Sequence, residues 1–170
     1  MVDGEAYTIR PARTADVPLI RDLIDTYSPD RRLLSKATVT LYEDVQEFVV
    51  AESAGEVVGC GALHVMWADL AEVRTVAVQS RLLGRGIGSA MVSELVARAR
   101  ALGIRRVFCL TFEVPFFARL GFQQIVGTPV PPEIFTELLR SEDEGVAEFL
   151  DLERVKPNTL GNTRMLLRLP

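Results

Sequence analysis

Apolar and polar residues alternate along parts of this chain and fall into a helical period along others. Residues 6–10 alternate and stop at Pro11, which predicts a short first strand. Over residues 14–27, Leu19, Ile20, Leu23 and Ile24 fall on one face, with Thr14 placed to cap and Asp16 in the first turn, so a helix is expected. Residues 37–44 fit either a short helix or a loop. Two β-rich runs, 47–52 and 56–67, flank "SAGE" and predict an antiparallel hairpin. Residues 70–78 read as another strand. After a glycine-rich stretch, Met91, Leu95, Val96, Ala99 and Leu102 mark an amphipathic helix closed by Gly103, and 104–112 read as a buried strand. "PFFARL" predicts a short helix between Pro115 and Gly121, and 122–126 a further strand. A linker at 127–133, a helix over 133–141, a mixed segment and a final strand at 164–169 complete the pattern. Antiparallel strands come first, then one βαβ crossover with parallel strands, then more strands. This order predicts an α+β fold: a mixed, mostly antiparallel sheet with a central βαβ unit flanked by helices. One domain is expected over 1–170, with a core over 1–126 and a tail, 127–170, completing the substrate side.

The glycines stand where the strand at 70–78 hands over to the helix. In "LLGRGIGSAM", Gly84, Gly86 and Gly88 alternate. Glycine admits positive φ and lets backbone approach a ligand, and a helix start offers free N–H groups to an anion. The stretch therefore predicts a diphosphate held by main-chain amides. A nucleoside-triphosphate loop would place Lys and Ser or Thr after the last glycine, and Ser89-Ala90 stands there instead. A dinucleotide site is a nearer alternative: Gly84-x-Gly86-x-x-Ser89 is one residue short of its fingerprint, and Glu113 is placed to meet a ribose. Against it stand the five residues "QSRLL" before the first glycine and the hairpin before the unit.

Bulk properties narrow the partners. The chain has 170 residues and a net charge of −4, which argues against nucleic acid. Its two cysteines, Cys60 and Cys109, show neither disulfide nor zinc spacing, so no metal is expected. No apolar run reaches the roughly 18 residues of a membrane span. A cytoplasmic protein is expected. The apolar tail "FTELL…VAEFLDL" predicts a homodimer.

The run "VAV-QSRL-LGRGIGSAMV" followed by "FFARLGF" resembles the GNAT superfamily of N-acetyltransferases. The resemblance covers about residues 7–126, and the glycine loop is its most specific part. It implies acetyl-CoA as co-substrate, with Val76, Ala77 and Val78 along the pantetheine arm. Leu83, Gly84, Arg85, Gly86, Ile87, Gly88 and Ser89 would hold the diphosphate. Two positions depart from the common pattern. Leu83 stands where Arg or Gln is usual, and Phe117 stands beside the cofactor where many members carry a thiolate-protonating tyrosine.

A narrower resemblance, to the acetyltransferase module of N-acetylglutamate synthases, spans "RRLLSKATVTLYEDVQEFVVAE", "VVGCGALH", "LAEVRTVAV" and "VFCLTFEVPFFARLGF". It implies transfer to the α-amine of glutamate for arginine biosynthesis, and phenylalanine in place of tyrosine belongs to this subgroup. By position it assigns the acceptor's carboxylates to Lys36 and to the last strand, where Asn162 and Arg164 stand in place of a more basic run. Glutamine is the alternative acceptor. Arg74 is a further carboxylate contact. Glu72 is the expected base, because a period of two puts it on the face of Arg74 and Val76. His64 is expected as a core or lining residue. Two other readings stay open: a GNAT enzyme acting on another amine, such as a protein N-terminus, a lysine or a drug, and a non-catalytic acyl-CoA sensor.

Overall fold

In a computed structural model, residues 6–28 and 36–170 are described. The strands are β1 (Tyr7–Pro11), β2 (Phe48–Ser53), β3 (Glu56–Trp67), β4 (Leu70–Val78), β5 (Arg106–Thr111), β6 (Gln123–Gln124) and β7 (Thr163–Arg168). The helices are α1 (Val17–Tyr27), α2 (Thr38–Glu43), α3 (Ile87–Ala101), α4 (Val114–Arg119), α5 (Pro132–Leu138), α6 (Glu144–Phe149) and α7 (Lys156–Thr159). The ambiguous segment at 37–44 is therefore helical. Among the described residues the strands form one sheet in the order β1-β2-β3-β4-β5-β7-β6. All neighbours are antiparallel except β4 and β5, the pair that α3 connects.

The start of α1 differs from expectation. A 3-10 turn at Thr14–Asp16 precedes it, and the cap is made by Asp16, not Thr14. The Asp16 carboxylate accepts from the Arg13 amide at 2.7 Å and from both terminal nitrogens of Arg10. The hairpin between β2 and β3 turns at Ala54 and Gly55, both at positive φ, as a two-residue hairpin requires. The strand expected over 122–126 shrinks to Gln123–Gln124, the two residues with ladder partners in β7, and the Ile125 amide still donates to the Arg164 carbonyl at 2.9 Å.

Three apolar clusters hold the layers together. The α3 face of the sheet buries Val73, Val78, Met91, Leu95 and Val107. The opposite face is covered at one end by α1 and α2, on Phe48, Val50, Cys60, Ala62 and Ala77. At the other end α5 and α6 cover Met66, Leu70, Phe108 and Leu166, with Leu138, Val146 and Phe149. Most of the apolar tail residues on which the homodimer expectation rested are thus packed on the chain's own sheet, while Leu139 stays exposed. Met91 and Leu95 approach the sheet closely because Gly59 and Gly61 lie beneath them; an added Cβ would come within 3.0 and 3.2 Å of their side chains.

One irregularity shapes everything near the site. Ala62 pairs with Arg74 and Cys60 with Ala77, so β4 carries one extra residue opposite β3. The bulge is marked by Thr75, at φ 59, a costly conformation for a β-branched residue. Before it, Ala71 and Val73 face α3, while Leu70 faces α5 and α6. After it, Val76 and Val78 face α3 and Ala77 faces α1. Glu72 and Arg74 therefore share a face, but Val76 does not share it with them. The simple period of two fails because the bulge shifts the alternation by one residue.

Candidate active site

β4 and β5 pair over three positions only, Leu70–Glu72 with Arg106–Phe108. Beyond Glu72 the two strands diverge. The gap between them is a cavity of about 540 Å3, walled by Val73–Val78 on one side and Leu110–Glu113 on the other. Along this edge β4 has no ladder partner among the described residues, so its backbone groups are available to an extended ligand lying as an added strand.

The glycine loop closes one end of the cavity. Leu82 is buried and anchors the loop, while Leu83, Gly84 and Gly86 are exposed and line the opening. Gly84 and Gly86 stand at φ 78 and 84, the left-handed region that glycine enters without strain. Gly86 caps α3, so the amides of Ile87, Gly88 and Ser89 begin a helix of 15 residues and have no carbonyl of their own helix to bond. A Cβ on Gly88 would come within 3.3 Å of the Phe116 ring; glycine lets α4 sit against the start of α3. The loop fits a diphosphate: open backbone, aligned amides and no side chain in the way.

Of the sequence-derived cofactor residues, Val76, Ala77, Val78, Leu83, Gly84, Gly86, Ile87, Gly88, Ser89 and Phe117 line the cavity. Arg85 is exposed in the loop and lies off the wall. Tyr27, Phe112 and Arg119 are among the lining residues that escaped the sequence reading. Tyr27 donates its hydroxyl to the Val78 carbonyl at the end of β4. Phe112 and Arg119 lie across the gap. A helix-terminal tyrosine has no sequence signature that would have found it.

A buried charged cluster lies beside the cavity. Arg74 reaches both: it is on the wall, its side chain is 8% exposed, and it makes a two-point contact with Asp143 at 2.7 and 3.0 Å. Its Nη2 also reaches Glu47 Oε2 at 3.4 Å. His64 Nδ1 pairs with the other Glu47 oxygen at 2.7 Å, and its Nε2 lies 3.6 Å from Asp143. His64 is thus a lining residue of this cluster. Burial opposes the Asp143 charge, but the Arg74 hydrogen bonds outweigh it and hold the carboxyl down at about 2. Lys36 lies within electrostatic reach of this cluster. Burial and the Arg74 charge lower its pKa, with Asp143, Glu72 and Asp44 acting in the opposite sense.

Glu72 is 4% exposed, and its Oε2 has no hydrogen-bond partner among the described residues. Burial raises its pKa, against the lowering influence of Arg74. It pairs across the sheet with His64. It does not line the cavity, and Gly145 of α6 packs on it: a Cβ there would sit 2.5 Å from Glu72 Oε2 and 2.6 Å from Arg74 Nη1.

The last strand's candidates lie elsewhere. Arg164 donates to the carbonyls of Glu148, Phe149 and Gly127 at 2.6–3.0 Å and stacks over the Phe108 ring. It closes the end of α6 and does not line the cavity. Asn162 donates to the Asn158 carbonyl at 3.3 Å, outside the charged cluster.

The acetyltransferase (GNAT) family model matches residues 17–122. An amino-acid acetyltransferase of Mycobacterium tuberculosis is 61% identical over 164 residues, covering 95% of this chain and 94% of that protein. An amino-acid acetyltransferase of Neisseria meningitidis is 32% identical over 118 residues, and there the match spans only 27% of the longer protein. The crystal structure of Rv2747 from M. tuberculosis, in complex with CoA and NLQ, superposes with a TM-score of 0.94 at 60% identity, covering 96% of this chain and 99% of that one. N-acetylglutamate synthase from Neisseria gonorrhoeae, complexed with coenzyme A and N-acetyl-glutamate, shares the fold with a TM-score of 0.78 at 24% identity; 99% of this chain matches 36% of that one. A strand pair that splays beyond three pairings, a glycine loop at a helix start and these likenesses agree, and the chain belongs to the acetyltransferase (GNAT) family.

Proposed function

We propose that this protein transfers the acetyl group of acetyl-CoA to the α-amine of a free amino acid, L-glutamate first, as the opening step of arginine biosynthesis. The observation that carries the reading is Glu72: a buried carboxyl with one oxygen unpartnered among the described residues, one pleat from Arg74 and beside the cavity between β4 and β5. The names of the M. tuberculosis relative and the N. gonorrhoeae synthase support it.

The chain's residues divide the work. The amides of Ile87, Gly88 and Ser89 hold the diphosphate, and the open edge of β4 over 73–78 receives the pantetheine arm. The bulge at Thr75 turns Val76 toward the cavity, where its amide is the donor for the oxyanion. Arg74 and Lys36 hold the acceptor's carboxylate. Glu72 does not line the cavity, so it takes the ammonium proton through a bridging water. Phe117 supplies no acid; coenzyme A leaves as thiolate, since an unperturbed thiol has a pKa of about 8.5.

Glutamine is a second reading, and one observation favours it. Asp143 and Glu47 already match the Arg74 charge, and both terminal nitrogens of Arg164 donate to carbonyls. A neutral side-chain amide suits such a site better than a second carboxylate. The test is thiol release from acetyl-CoA with a panel of free amino acids, repeated with Glu72→Gln. Turnover confined to glutamate or glutamine, lowered on the order of a hundredfold or more in the variant, is expected. Coenzyme A binding with no amino acid accepted, or an undiminished Glu72→Gln variant, overturns the reading.

A further inference from the structure

α6 carries a carboxyl that the reaction just described leaves unused. Glu148 is 6% exposed, and its Oε1 has no hydrogen-bond partner among the described residues. Glu72 shares both properties. Gly145 and Glu148 are three residues apart and lie on one helix face, and Gly145 is the residue seated on Glu72 Oε2. The two carboxyls therefore occupy one dry layer between α6 and β4.

A structural role accounts poorly for Glu148. A buried carboxyl with a bare oxygen costs stability that methionine, leucine or glutamine at the same place would not. The neighbouring cations are directed elsewhere. Arg74 is held by Asp143 and Glu47, and Arg164 bonds main-chain carbonyls, including that of Glu148 itself. The charged groups facing Glu148 are Glu72 and Arg74 from β4, and Asp143 and Glu144 at the start of α6. Those facing Glu72 include Lys36 and His64. Two carboxyls in so dry a space do not both ionise at neutral pH.

We propose that Glu148 is a positioning residue for the transfer: with Glu72 it forms a buried carboxyl pair that keeps a single proton, held by Glu148, so that Glu72 is the ionised member facing the acceptor's amine. This rests on the reading of Glu72 as base. Burial raises both carboxyls; Arg74, His64 and Lys36 act against it at Glu72, whereas at Glu148 the Glu72 charge adds to burial and Arg74 alone among the described residues opposes it, pushing that carboxyl up to about 8.

The test is a pH titration of the full chain labelled with 13C at glutamate carboxyls, assigned with Glu148→Gln and Glu72→Gln. A resonance missing from Glu148→Gln is expected to titrate near pH 8 in the wild type. It should move down by about one unit or more in Glu72→Gln, where the neighbouring charge is gone. A midpoint in the ordinary carboxylate range, or one that Glu72→Gln leaves in place, overturns the pair. The rate supplies a second readout: the ratio of Glu148→Gln to wild-type kcat should climb as pH rises through about 8, because glutamine cannot ionise. A flat ratio also overturns the proposal. If Glu148→Gln does not fold, the highest-titrating glutamate and its response to Glu72→Gln still decide it. Should Glu72→Gln turn over normally while the resonance shifts, the base assignment fails and the pair survives.

Discussion

Gly145 lies so close to Glu72 that a single methyl group would collide with it: an added Cβ falls 2.5 Å from Glu72 Oε2. The contact joins α6 to β4 at the residue where its pairing with β5 ends and the cavity begins. Asp143 strengthens the join, since its carboxylate caps α6 through the Val146 amide at 3.0 Å while gripping Arg74. Gly145→Ala is therefore expected to push Glu72 or Arg74 aside. It should lower kcat on the order of tenfold and leave coenzyme A affinity within about twofold. Steady-state kinetics beside calorimetric coenzyme A binding checks this, and an unchanged kcat would separate α6 from the chemistry.

Gly86→Val places a β-branched residue at φ 84 in the loop that begins α3. The strain and the added bulk should weaken coenzyme A binding on the order of a hundredfold, with the far-UV spectrum retained. Titration calorimetry reads the result. Tight binding by a folded variant would reduce the glycines to a turn.

Lys36→Ala should raise the acceptor's KM about tenfold while kcat changes far less, because the charge lost binds ground and transition states alike. Burial and Arg74 bring the wild-type lysine below its ordinary 10.5, so its charge is lost early as pH rises. The acceptor's KM should therefore climb with pH in the wild type and climb less in the variant. Identical KM profiles would place the carboxylate site elsewhere.

The Glu148 carboxyl also leaves a mark on stability. Its pKa is raised in the fold from 4.5 to about 8, so this group's contribution is most favourable below pH 4.5 and is lost as pH rises toward 8. Glu148→Gln removes that loss. Its stability relative to wild type should improve by about 3 kcal/mol between pH 4.5 and pH 7.5, as an upper figure. Urea unfolding at the two pH values measures it, and an equal difference at both would show that Glu148 titrates normally.

Much of this was legible in the sequence because local rules were obeyed. Alternation gave the strands up to β5, and three glycines between a strand and a helix gave the loop. What stayed hidden was set by distant residues. Nothing around Thr75 announces positive φ; the bulge follows from how β4 meets β3, and it put Val76 on the wrong face in the simple period of two. Asp143 and Glu148 come to Glu72 and Arg74 through the fold of the tail, which no spacing along the chain displays. Arg164 was placed in the right strand, but the carbonyls that it meets at the end of α6 were invisible beforehand.

The place of β7 ties assembly to the far end of this sequence. It lies between β5 and β6, pairing Thr111 with Thr163 and Gln123 with Leu166. During synthesis the β5 side of the sheet must wait, its edge bare, until residues 163–168 leave the ribosome. Pairings so remote in sequence are slow to close. A chain cut before Thr163 would present that unfinished edge to its neighbours, and aggregation, rather than a smaller working enzyme, is what such a fragment should yield.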